Sequence, residues 1–133
     1  MAVTTLYARV AGGTSIHPKR GGSDMAWSHL VSWFFGGAVL ANAVPHFVSG
    51  IRGEPFQSPF AKPPGKGLSS STVNVLWGFL NLAVGYALIC HVGEFRIKDT
   101  ADALAVGIGI LAISIPSARH FGRFHGGHVS NRP

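Results

Sequence analysis

MAWSHLVSWFFGGAVLANAVPHFVSGI (residues 25–51) and GLSSSTVNVLWGFLNLAVGYALICHVG (residues 67–93) each run for 27 positions without an Asp, Glu, Lys or Arg. A bilayer's hydrocarbon core takes about 20 apolar residues of helix, whereas helices of small soluble domains carry one charged face. Both stretches read as membrane spans. A third, Ala101 to about Ala118, is shorter: the 16 uncharged residues between Asp102 and Arg119 make about 24 Å of helix at 1.5 Å per residue. Its apolar density, with no charged face to sit in water, favours spanning over lying flat. Tilt, local thinning or snorkelling of Arg119 absorbs the shortfall. The expected fold is all-α, three transmembrane helices in an up-down-up bundle, with spans at about 25–48, 72–93 and 101–118.

Composition agrees. The 133 residues are 47% hydrophobic and only 12% charged, against about 25% charged in ordinary soluble domains. Cys90 is the single cysteine, so an intrachain disulfide and a cysteine-built metal cluster are both excluded. The net charge of +6 raises nucleic acid as a partner. The cations form no basic helix face interleaved with exposed aromatics, however, and lie beside the apolar spans, where anionic headgroups attract them. The expected partner is therefore the lipid bilayer and not nucleic acid, in a multi-pass protein of a bacterial inner membrane.

Around the spans the chain is punctuated. Residues 1–24, with Gly12-Gly13 and Lys19-Arg20-Gly21-Gly22, read as a flexible extension, and a start at Met25 would leave the membrane part intact. Ala41-Asn42-Ala43 resembles a signal-peptidase site, but apolar character continues to Ile51 and two further spans follow. Trp27 and Trp33 are expected at headgroup level. Helix 1 is expected to end around Pro45-His46-Phe47, because proline removes a backbone donor. Residues 49–71 form a long, partly ordered Pro/Gly-rich loop in which Phe56 and Phe60 cover either the interface or the helix ends. Ser69 to Thr72 offer N-caps for helix 2, and residues 119–133 are expected to be a basic His/Gly-rich tail.

Three spans place residues 1–24 and 94–100 on one side and the long loop with the C-terminus on the other. Lys and Arg divide five against six, or two against six from Met25, which leans toward a cytoplasmic C-terminus.

Helix 2 carries a stripe, Asn74, Gly78, Asn81 and Gly85, at spacings of four, three and four. Apolar surface has no reason to leave lipid, so small residues and interhelical hydrogen bonds must drive packing. Gly36, Gly37 and Ala41 on helix 1 and Gly107 and Gly109 on helix 3 are the expected counterparts, with Asn81 bonding across to another helix.

Histidine is the ionisable side chain found at membrane depth, and hence the place to look for chemistry. The topology puts His29 with His91 near one interface and His46 with His120 near the other. Either pair could ligate haem iron, and imidazole also suits other metals. The blander role is interfacial hydrogen bonding. His120, His125 and His128 crowd the C-tail without fixed geometry for a metal. No nucleophile elbow, phosphate loop, metalloprotease helix or buried carboxylate pair is present. The expectation is a non-catalytic accessory or scaffold subunit, packing with itself or a larger membrane complex and needing no cofactor. The alternatives are a haem- or metal-binding electron-transfer subunit and a small oligomeric carrier or channel.

Overall fold

The computed structural model describes residues 23–127. Three helices carry the fold: α1 Ser23–Ile51, α2 Ser71–Cys90 and α3 Thr100–His125. Each is long and apolar enough to cross a membrane. The protein is an all-α, multi-pass, three-helix membrane bundle. The expectations for residues 1–22 and for His128 and Arg132 lie outside the described residues.

The central helix is α1. It packs antiparallel on α2 and parallel to α3, while those two scarcely meet, so the helices form a layer ordered α2, α1, α3. Small residues let α1 approach both neighbours. A Cβ on Gly78 of α2 would stand 2.7 Å from the backbone nitrogen of Phe47, and one on Gly109 of α3 would run into the Phe34 carbonyl oxygen. All four stripe residues of α2 are buried, with Ile89 one turn further on. At mid-stripe Asn42 Nδ2 of α1 donates to Asn81 Oδ1 at 3.2 Å, and Asn81 Nδ2 donates back to the Trp77 carbonyl at 2.7 Å.

Two features differ from the sequence expectations. Helix α1 runs through Pro45 to Ile51, and α3 through Pro116 to His125. In lipid a proline costs a helix one hydrogen bond, whereas stopping would strand several backbone groups. The 26 residues of α3 therefore reach about 39 Å, which removes the length shortfall and makes 119–125 helix instead of tail. Gly126, at φ 73°, closes it in the left-handed cap that glycine favours. Trp33 is 1% exposed within the chain. Its Nε1 donates to the Val92 carbonyl at 2.8 Å, in the turn that follows α2. Trp27 is exposed.

The connections are built by local capping. Ser70 Oγ caps α2 by accepting from Val73 N, and Asp99 caps α3 by accepting from Ala101 N. Asp102, fully buried, accepts from the Arg96 backbone N–H at 2.9 Å and ties the short turn to the start of α3. Between α1 and α2, Phe56–Gln57 (β1) and Leu68–Ser69 (β2) pair antiparallel, Phe56 opposite Ser69. The residues between them fold back with Gly65 N and Gly67 N donating to the Ser58 and Pro63 carbonyls. This small hairpin lies over one end of the bundle.

Candidate functional site

Asn74 organises that end. Its Nδ2 lies 3.2, 3.1 and 3.0 Å from the carbonyl oxygens of Phe56, Ser69 and Ser70, so both strands and the start of α2 converge on one amide. Carbonyls only accept, which fixes the amide's orientation and turns Oδ1 toward His46, 2.9 Å from Nδ1. An amide oxygen cannot donate. His46 therefore carries a proton on Nδ1, and in the neutral imidazole Nε2 is left with the lone pair. The imidazole is 4% exposed, with the rings of Phe56 at 5.4 Å and Trp77 at 6.4 Å, both edge-on.

Two cavities lie at this end of the bundle, and His46 borders the first. One, of about 370 Å³, lies beneath the hairpin and is bordered by Asn42, His46, Gln57, Ser58, Trp77 and Phe121. The other, of about 440 Å³, runs between α1 and α3 along Ala41, Pro45, Ser114, Ser117, Ala118 and Phe121. Asn42 and Phe121 border both. Trp77 Nε1 is buried without a hydrogen-bond partner, an unmade bond that costs about 1–3 kcal/mol.

The end of α3 closes the site from the other side. His125 Nε2 meets Gln57 Oε1 at 3.2 Å, and His120 Nε2 meets the Gly65 carbonyl at 3.1 Å. Phe121 packs on Phe56 at 5.0 Å, and His125 stacks on the same ring at 5.8 Å. Phe56 is thus inside the site. Phe60 is 61% exposed and meets Trp77 edge-on at 5.0 Å. Phe56 covers the end of the bundle, and Phe60 lies against the side of α2.

The sequence-derived candidates distribute as follows. His46 and His120 flank the same hairpin, each held by a partner of its own. His29 packs against Trp33, and a Cβ on Gly93 would sit 2.5 Å from its Nδ1. His91 is exposed beside Tyr86, so the ring contacts of His29 and His91 go to different partners. No group of three His, Cys, Asp or Glu side chains able to hold a metal occurs among the described residues. Among the packing candidates, Gly36 lies against Ile89 and Gly37 against the Val106 carbonyl; Ala41 borders the apolar cavity. A Cβ on Gly107 would meet nothing within 4 Å; on α3 the close approach belongs to Gly109.

Sequence reasoning missed Gln57, Ser58 and the pairing of His46 with Asn74. Asn74 already stood on the packing stripe, but 28 residues separate it from His46, and spacing along one helix does not report a partner on another. Comparison with protein families, with characterised proteins and with solved structures finds no match for this chain.

Proposed function

We propose that this chain is a non-catalytic accessory or scaffold subunit of a membrane complex. The observation that carries the reading is the openness of the helix layer. The α3 span is only 11% buried within the chain, α2 and α3 flank α1 without closing on each other, and Gly107 faces away from every internal neighbour. A helix with a small residue on its free side has the means of close approach to a further helix. Extraction of native membranes in mild detergent, followed by native electrophoresis, tests this. The chain should migrate in a species larger than itself, and Gly107→Leu, at a position where a Cβ meets nothing within 4 Å inside the fold, should release it. Migration of the wild-type chain as a monomer would contradict the proposal.

The proposed setting is a bacterial inner membrane with the hairpin on the cytoplasmic side. Arg52, Lys62, Lys66, Arg119 and Arg123 lie at the hairpin end, and Arg96 and Lys98 at the other, the asymmetry that the positive-inside rule reads.

A second reading, electron transfer through haem or another metal, has His46 behind it. Donation from Nδ1 to an oxygen acceptor is the arrangement that orients a ligating imidazole. Its test is an intense Soret band in purified protein that disappears in His46→Ala.

A further inference from the structure

The two cavities, which share Asn42 and Phe121 at their borders, have a direction. The chamber beneath the hairpin sits at the end of the bundle, at the level of the loop, and although most of its surface is apolar it gathers the polar side chains of Asn42, His46, Gln57 and Ser58 beside the aromatic faces of Trp77 and Phe121. The second leads from there between α1 and α3 toward the middle of the bilayer, reaching Ala41 and Ser114, and is overwhelmingly apolar. A polar head at the interface and an apolar tail toward the midplane is how an amphiphile lies in a leaflet. No Asp, Glu, Lys or Arg borders either cavity, and the two histidines that do, His46 and His125, are engaged by Asn74 and Gln57, so a phosphate or carboxylate would meet no fixed positive charge there and its desolvation would go uncompensated. The flanking aromatic rings suit a planar head. Each volume falls within the range of about 300–1,000 Å³ usual for small-molecule sites.

We propose that the hairpin chamber and the α1–α3 cleft form one binding site for a neutral, single-tailed amphiphile with a hydroxyl-bearing ring head, the chemistry of a membrane quinol. The head hydroxyl donates to His46 Nε2, the nitrogen that Asn74 leaves with its lone pair. The amides of Asn42 and Gln57 supply further polar groups, and the tail lies in the cleft past Ala118. Because Nε2 accepts and does not donate, the site favours the hydroxyl form of the head over the carbonyl form.

The experiment is equilibrium binding of a decyl-tailed benzoquinol to the purified full chain in nanodiscs. The same tail on an unsubstituted benzene ring, the matching quinone and a lysophosphatidylglycerol serve as comparison probes. Expected are saturable binding of one quinol per chain, affinity at least tenfold weaker for the headless ring, and a preference for quinol over quinone that His46→Phe abolishes. Ala118→Leu fills the cleft from an exposed position, so it should keep the wild-type melting temperature and weaken quinol binding at least tenfold. The proposal is overturned by non-saturable partitioning, by equal affinity for the headless ring, by tighter binding of the anionic lipid, or by a folded Ala118→Leu that binds the quinol as wild type does. The Ala118→Leu arm decides the matter even if His46→Phe does not fold.

Discussion

Asn74 shows what one side chain does when lipid excludes water. Its amide holds three carbonyls and the Nδ1–H of His46, and a buried polar group that loses its only partner costs about 1–3 kcal/mol. Asn74→Leu should therefore lower the unfolding midpoint in detergent and speed amide exchange in residues 56–69 while leaving the three helices in place. Unchanged exchange there would show that the hairpin is held by something else. Glycines give a sharper contrast because each reports one distance. Gly78→Leu and Gly109→Leu meet backbone of α1, and Gly107→Leu meets nothing. The first two should destabilise by at least about 1–3 kcal/mol, the range for overpacking, and the third should leave the melting temperature of the isolated chain unchanged. The stripe of Asn74, Gly78, Asn81 and Gly85 was legible in the sequence because the helical period sets which residues share a face. Which glycine of α3 touches α1 was not, since Gly107 and Gly109 differ only in the helix's rotation about its axis, and rotation is set by packing.

At the scale of elements, the spans were legible and their ends were not. Missing charge marks a membrane helix because burying charge in hydrocarbon is costly. Proline marks a helix end well in water, where freed backbone groups find solvent, and badly here: Pro45 and Pro116 both lie inside helices. Beyond Pro116, α3 carries Arg119, His120 and Arg123, which read as tail on polarity alone, yet its continuation places His120, Phe121 and His125 on the hairpin. The left-handed Gly126 ends that helix. Gly126→Ala should cost about 1 kcal/mol and fray the last turn, seen as faster amide exchange over residues 122–125, and exchange at the wild-type rate would mean the cap is not what holds this turn. The hairpin itself, two residues per strand, is too short for alternation to announce. It exists because Asn74 and the Ser58–Ser69 hydroxyl pair, 2.6 Å apart, satisfy it from below.

For the whole molecule, one physical condition organises everything else: the surroundings of the helices are hydrocarbon. It explains why large apolar side chains such as Leu76, Phe79, Leu104 and Leu111 are more than half exposed within the chain, while Asn74, Asn81 and Asp102 are buried. A soluble domain inverts that distribution. It also explains the layered arrangement, since helices in lipid need close approach and hydrogen bonds, and have no core to enclose. The most direct test is membrane topology, read by labelling single cysteines with an impermeant maleimide in sealed right-side-out and inside-out vesicles. With Cys90→Ser as background, Lys62→Cys in the hairpin should label from one side only and Lys98→Cys, in the turn before α3, from the opposite side only. Labelling of both positions from the same side would contradict a chain that crosses the bilayer between them.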